Sequence, residues 1–179
     1  VREFLNRPRF EGWIKAVYEN KLLGTAGTLR ANKKFFQEGT ILLVHADNWC
    51  QCDFADFLNF HLEHRPSNCS ITMMTFESHT PKTCGIVETD AEGVVIALHE
   101  KSNNPPGKKA NGAVYLLEPE VLKWIENNPD VSDFSTEVLP NFLGSIATWN
   151  NFGIHRDIGA LLELQLAQSD PLPTSCWRE

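Results

Sequence analysis

Apolar positions fall into two rhythms that alternate through the first half of the chain. "WIKAVYEN" (13–20) alternates and is rich in β-formers, which predicts a strand. In "GTAGTLRANKKFF" (24–36) a glycine-bearing turn leads into Leu29, Lys33 and Phe36 at helical spacing. "TILLVHA" (40–46) is apolar enough to be a central parallel strand covered on both faces. "DFADFLNFHLEH" (53–64) puts Phe54, Phe57, Leu58 and Leu62 on one helical stripe behind Asp53, a candidate N-cap. "CSITMMTF" (69–76) adds a third strand, and β-α-β-α-β is the signature of an open α/β sheet.

The rhythm changes at residue 84. "CGIVETDAEGVVIALHEK" (84–101) reads as an antiparallel hairpin about a D-A-E-G turn, and "SNNPPGKK" (102–109) as a polar loop. "NGAVYLLEPEVLKWIENN" (111–128) runs from a strand into a helix, with Pro119 in the first turn, where its missing N–H is harmless. "FSTEVLPNFLG" (134–144) suggests a helix capped at Ser135, and "IATWNNFGIHRDIG" (146–159) a strand and loop before a closing helix at 160–168. The expected organisation is one domain over 1–168 and an irregular tail over 169–179.

Composition narrows the classes. The 179 residues are 42% hydrophobic and 22% charged, which gives material for a core and argues against disorder. A formal charge of −7 with no dense basic run argues against nucleic-acid or anionic-membrane partners. No apolar run approaches membrane-spanning length and no signal segment opens the chain. Five cysteines, an odd number, suit reduced thiols in a cytoplasmic protein. Cys50-Gln51-Cys52, with His45, Asp53, His61 and His64 nearby, has no second pair at zinc-ligand spacing, so packing is the expected role.

The candidate chemistry begins at "LLVHADNWC" (42–50), where the apolar run ends on Asp47. In a right-handed β-α-β unit the loops leaving two parallel strands share one sheet edge, where ligands of such folds bind. "GTAG" and "DNW" are then expected to be neighbours. Gly24 and Gly27 would allow a ligand close to the backbone, and Asp47 could hold a hard divalent cation. The alternative is an ordinary turn beside a capping Asp. Asp157, in a loop before the closing helix, presents the same choice. The triplet His155-Arg156-Asp157 lacks the downstream residues of a kinase catalytic loop. Glu100 and Lys101 end a hairpin strand, where consecutive side chains point to opposite faces unless the strand stops there.

Six motifs follow in order: Leu23-Gly24-Thr25-Ala26-Gly27, Asp47, the run Cys84-Gly85-Ile86-Val87-Glu88 with Asp90 and Gly93, Glu100-Lys101-Ser102, Asn111-Gly112-Ala113-Val114-Tyr115, and Arg156-Asp157-Ile158-Gly159. In order and spacing they resemble the sugar-1-phosphate nucleotidyltransferases, the pyrophosphorylases that make nucleoside-diphosphate sugars. The resemblance runs from about residue 10 to 168. It departs from the family at Ala46, where a Gly is usual, and at Ser102, where a Pro is usual. The G-x-G-T-R-L loop that opens the family is not matched, so the chain reads as lacking the N-terminal β-α units.

The resemblance implies an α/β fold with an open, mostly parallel mixed sheet and helices on both faces. It also implies transfer of a nucleotidyl group from a nucleoside triphosphate to a sugar-1-phosphate, with release of pyrophosphate, for polysaccharide biosynthesis. Asp47 and Asp157 would share Mg²⁺, and Lys101 would neutralise the sugar phosphate; these three are the catalytic set. Glu100 and Asn111 would hold sugar hydroxyls, Gly85 would let the sugar approach, and Gly24, Thr25 and Gly27 would line the nucleotide pocket. "LGTAGTL" favours GTP with mannose- or heptose-1-phosphate. The alternatives are a glucose-1-phosphate thymidylyl- or uridylyltransferase and a non-catalytic regulatory relative. A homo-oligomer is compatible with all of these.

Overall fold

The computed structural model describes residues 2–36 and 39–172. After α1 (Arg2–Leu5), the chain from 14 to 23 has no regular structure, and Trp13, Val17 and Tyr18 stay 62%, 50% and 77% exposed. This corrects the strand expected at 13–20. Alternation gives a segment two faces, but a strand also needs a hydrogen-bonding partner, and none pairs with this stretch among the described residues. It is tied forward by Glu19, which accepts from the Leu23 N–H at 3.2 Å and the Thr28 hydroxyl at 2.6 Å, and by Lys15, whose Nζ sits 4.5 Å from the Phe35 ring centre. That carboxylate satisfies the start of α2 (Gly24–Ala31), so "GTAG" is the first helical turn and not a turn preceding a helix.

Around β6 (Lys109–Leu117) the mixed sheet is built. One side of β6 carries β3 (Ile71–Glu77), which continues into a parallel pair with β7 (Ile146–Asn150). Its other side carries β1 (Ile41–Val44) and, at Ala110, the hairpin of β4 (Gly85–Thr89) and β5 (Val95–Glu100). β1, β3, β4 and β7 all run one way, and β6 is inserted against them. β1 and β3 are therefore not neighbours, and among the described residues only β3–β7 pairs in parallel. β1 was expected to be central and covered on both faces. In fact it pairs antiparallel on one side, and Leu42 and Val44 are 49% and 41% exposed while Ile41 is buried.

Helices lie on both faces. One core packs Met73, Tyr115 and Leu117 against α2, α4 (Pro119–Asn127) and Phe134. The other packs Met74, Val114 and Leu116 against Phe57 of α3 (Phe54–Asn59). Asp53 caps α3 as expected, accepting from the Ala55 and Asp56 N–H groups at 3.0 Å each. The expected stripe of α3 is not its buried face, since Phe54, Leu58 and Leu62 are 41–55% exposed. His61 lies inside with Phe57 because it finds partners there, Thr72 on Nδ1 and Glu118 on Nε2. At 134–144 a wide π turn (Phe134–Val138) and a 3₁₀ turn replace the helix. The cap is Asp133, which accepts from the Thr136 N–H at 2.8 Å, and not Ser135.

The hairpin stands as expected, its turn held by the Asp90 carboxylate accepting from the Glu92 and Val94 N–H groups at 2.9 Å. A two-stranded ribbon, β2 (Asn48–Cys50) with β8 (His155–Asp157), lies outside the main sheet. Asp157 is thus in a strand, not a loop, and α5 (Leu161–Ala167) closes the fold. Residues 173–179 of the expected tail, Cys176 included, lie outside the described residues. No helix among the described residues is long and apolar enough to cross a membrane.

Candidate functional site

The β2–β8 ribbon brings the two carboxylates together. Asn48 pairs with Asp157 in antiparallel register, and the Ile158 N–H donates to the Asp47 carbonyl at 2.8 Å. Both side chains turn toward Gly159. A Cβ built there would lie 2.9 Å from Asp157 Oδ1 and 3.4 Å from Asp47 Oδ2, so glycine leaves open the space that the two carboxylates share. Asp157 Oδ1 accepts the Gly159 N–H at 3.0 Å, which fixes its rotamer and leaves its other oxygen open. Two exposed carboxylates suit a hard divalent cation that keeps water and substrate oxygens in its remaining positions. Among the described residues no cluster of three or more His, Cys, Asp or Glu forms a metal cage, so further ligands would have to come from bound molecules.

The ribbon is held firmly from behind. Arg156 points opposite to Asp157 and makes a forked pair with Asp170 at 2.7 and 2.8 Å, plus a bond to Glu163 at 3.1 Å. Trp49 Nε1 donates to the same Asp170 at 3.0 Å. These carboxylates keep the guanidinium charged, and the Arg156 hydrogen bond lowers the Asp170 pKa.

A second cluster lies between the hairpin and the π turn. Gly85, His99, Glu100, Asn111, Ser135 and Thr136 line a cleft of about 160 Å³. A Cβ on Gly85 would come 2.8 Å from Glu100 Oε2. Asn111 Nδ2 donates to the Tyr115 hydroxyl at 2.7 Å, and its Oδ1 accepts the Ala113 N–H at 2.9 Å. One N–H and one lone pair of that amide remain for a ligand, in a fixed orientation. Tyr115 is fully buried, which pushes its pKa up to about 12, so it stays a neutral support. Lys101 follows Glu100 where β5 stops, with φ +44° and its N–H donating to the Cys84 carbonyl at 3.2 Å. It is exposed at the cleft's rim and is not part of its lining.

β6 joins the two clusters through an irregular stretch. The β3–β6 register shifts between Met73 and Thr75, so that Met74 faces the run Gly112–Val114. Ala113 takes a left-handed φ of +51° within this bulge. The Gly112 carbonyl is thereby turned toward the ribbon, where it accepts Asn48 Nδ2 at 2.8 Å and His155 Nε2 at 2.7 Å. Since a carbonyl can only accept, the neutral His155 ring carries its proton on Nε2. Burial lowers its pKa, its Nδ1 is buried without a partner, and its ring stacks on Phe76 at 4.2 Å.

The glycine segment is not held by the unit expected for it. With no strand at 13–20 among the described residues the β-α-β unit does not form, and "GTAG" packs on residues 132–134. Ala26 and Gly27 N–H groups donate to the Ser132 carbonyl at 2.9 and 3.3 Å, and Thr25 Oγ1 accepts the Phe134 N–H at 2.7 Å. Gly24 is required there, because its φ is +76° and a Cβ would sit 2.4 Å from the Ser132 oxygen. Glu137 braces the same loop, accepting the Ser132 and Asp133 N–H groups at 2.7 Å each, and those bonds lower its pKa. The π turn thus touches the glycine segment on one side and the cleft on the other. Asn48, Ser135, Thr136 and His155 were not foreseen as site residues. Ser135 was visible only as a candidate cap, Thr136 only as part of the helix expected behind it, and His155 only as part of a kinase-like triplet.

A mixed α/β sheet is thus accompanied by a ribbon that carries paired carboxylates and by a polar cleft, an arrangement suited to holding a polar ligand. The sequence profile described as "Nucleotidyl transferase" matches residues 2–170, and the chain belongs to that family. It is 30% identical over 130 residues to the mannose-1-phosphate guanylyltransferase of Mycobacterium tuberculosis, covering 73% of this chain and 35% of that protein. It is 28% identical over 150 residues to the glucose-1-phosphate adenylyltransferase of Thermotoga maritima, covering 77% of this chain and 35% of that protein. The chain therefore spans about a third of the length of these relatives. HddC from Yersinia pseudotuberculosis superposes with a TM-score of 0.70 at 23% identity, over 84% of this chain and 64% of that one. A Bacillus anthracis protein solved in complex with a sucrose gives 0.71 at 18% identity, over 84% and 62%. Both share the mixed-sheet fold.

Proposed function

We propose that this chain carries the sugar side and the metal-binding carboxylates of a sugar-1-phosphate nucleotidyltransferase. The observation that supports it most is the meeting of Asp47 and Asp157 over Gly159, tied through Asn48 and Gly112 to the cleft of Gly85, Glu100 and Asn111. In the reaction a sugar-1-phosphate oxygen attacks the α-phosphorus of a nucleoside triphosphate, the α–β bridging P–O bond breaks, and pyrophosphate leaves. Catalysis of such a step is mostly positioning and neutralisation of charge.

Each residue has a part in that positioning. Asn111 donates to and accepts from sugar hydroxyls out of a fixed rotamer, Glu100 accepts from them, and Gly85 lets the ring approach the sheet. Lys101 reaches from the rim to the sugar phosphate. Gly24, Thr25 and Gly27 shape the nucleotide side through their contacts with residues 132–134. A Mg²⁺ ion on Asp47 and Asp157 would neutralise the phosphates and align them. GTP with mannose- or heptose-1-phosphate is the first pair to test, on the strength of the "LGTAGTL" segment and the guanylyltransferase relative. ATP with glucose-1-phosphate is the nearest rival, given the adenylyltransferase relative.

The test is pyrophosphate release by the complete protein across a grid of four nucleoside triphosphates and these sugar phosphates, with Mg²⁺ present. Release that needs both a sugar-1-phosphate and a nucleotide supports the reading. Tight binding of a nucleoside-diphosphate sugar with no release in any combination makes the protein a sensor of the same fold.

A further inference from the structure

We propose that Cys50 and Cys52 close into a reversible disulfide that loosens the ribbon carrying Asp47 and Asp157. Cys50 is the last residue of β2 and Cys52 follows one residue later. Alternate residues of an extended segment project to the same side, and here the Cys52 side chain hydrogen-bonds the Cys50 thiol. Both thiols are half-buried, so small oxidants reach them. Cys50 Sγ also lies 3.6 Å from Met74 Sδ, and Asn151 Nδ2 donates to it at 3.7 Å. Separately, the Cys52 hydrogen bond lowers the Cys50 pKa, which favours the thiolate, the attacking form. Buried Cys69 has its pKa raised and serves as an internal control.

The chemistry needs only a peroxide or a disulfide as oxidant. The Cys50 thiolate attacks one oxygen of hydrogen peroxide, the O–O bond breaks, and hydroxide leaves to become water. The sulfur is now a sulfenic acid. The Cys52 thiolate attacks that sulfur, the S–O bond breaks, a second hydroxide leaves, and the S–S bond forms. Two thiols have lost two hydrogens, and the peroxide has become two waters. With glutathione disulfide the same two attacks release two glutathione thiolates, and a reducing dithiol reverses the bridge by exchange.

Geometry couples this bridge to the carboxylates. Two residues of extended strand separate Cα atoms by about 6.6–6.8 Å, the upper edge of the roughly 4.4–6.8 Å that disulfides span. Closure therefore pulls Gln51 out of line. Gln51 is fixed to the opposite strand: its N–H donates to the Ile154 carbonyl at 2.8 Å, and its own oxygen lies 2.1 Å from where a Cβ of Gly153 would sit. Displacement of Gln51 moves 153–154, the lead into β8, and so Asp157 and the Ile158–Asp47 bond.

The test treats the reduced chain with hydrogen peroxide or with glutathione disulfide, then reads peptide mass and amide hydrogen exchange. The expected result is loss of two hydrogens in the peptide holding Cys50 and Cys52, reversed by dithiothreitol, with Cys69 still open to alkylation after unfolding. Exchange should quicken at Gln51 and 154–158. Cys52→Ser, which should melt like the parent, should stop at a Cys50 sulfenic acid or glutathione adduct without that quickening. A persistent adduct or sulfinic acid on Cys50 in the parent overturns the bridge, and a bridge with unchanged exchange overturns the coupling. Neither readout uses turnover, so failure here is separate from failure of the transferase reading.

Discussion

Asn48 donates its side-chain amide to the Gly112 carbonyl at 2.8 Å, and this bond links the carboxylate ribbon to the strand that floors the cleft. The sequence put Asp47 and Asn111 in separate motifs, yet a neighbour of each supplies one half of this bond. Asn48→Ala removes the donor, while His155 still satisfies the carbonyl. The expected stability loss is about 1 kcal/mol, that of one hydrogen bond. In the complete protein the substitution should weaken divalent-cation affinity and raise KM for the sugar phosphate together, which paired binding and kinetic titrations would detect.

Gly159 gives a cleaner handle on the same pair, because its missing side chain keeps the space open. In Gly159→Ala the new methyl lies 2.9 Å from Asp157 Oδ1 and 3.4 Å from Asp47 Oδ2, so the carboxylates must part. Both are exposed and can move, so the melting temperature should shift little. Affinity for Mn²⁺, followed by paramagnetic relaxation, should fall at least about tenfold, equivalent to roughly 1.4 kcal/mol. Parental affinity would mean that the carboxylates do not share one ion.

Ala113 sits at φ +51°, in the region where a Cβ costs about 1–2 kcal/mol. Glycine removes that strain but loses more entropy on folding, about 0.5–1 kcal/mol. Ala113→Gly should therefore stabilise the chain by roughly 0.5 kcal/mol, visible as a higher urea midpoint with the slope unchanged. A lower midpoint would show that the alanine methyl contributes packing that outweighs the strain.

His61 is fully buried between Thr72 and Glu118. Burial, and then the nearby Arg65 charge, lower its pKa below the ordinary histidine value. Below about pH 6.5 the unfolded histidine takes up a proton that the folded one resists. Stability should therefore be full above that pH and be lost as pH falls through the window beneath it. Urea midpoints measured from neutral to mildly acid pH should show this decline, and His61→Gln should make it shallower, leaving the share of His155, whose pKa burial also lowers.

Much of the fold was legible because local rules decided it. Asp53 and Pro119 marked helix starts, the Asp90 turn marked the hairpin, and runs such as "ITMMTF" were too apolar to lie anywhere but inside. What failed depended on partners that sequence does not name. "WIKAVYEN" has the alternation of a strand but no strand beside it among the described residues, and with it went the expected β-α-β unit. The α3 stripe misled because His61 is buried through hydrogen bonds, which hydrophobicity cannot rank. At the site, Asp47 and Asp157 were recognisable as motif residues, while Asn48 and His155 owe their place to a bulge at Gly112–Ala113 that only the register reveals.

The account rests on Asp47 acting as a charge and not as a turn-former. Asp47→Asn keeps size and turn propensity but removes the charge. The measurement is kcat for pyrophosphate release by the complete protein at saturating Mg²⁺, taken beside a melting curve. The account predicts an unchanged melt and a kcat reduced by at least about two orders of magnitude, roughly 3 kcal/mol of transition-state stabilisation. A normal kcat with a normal melt would contradict it.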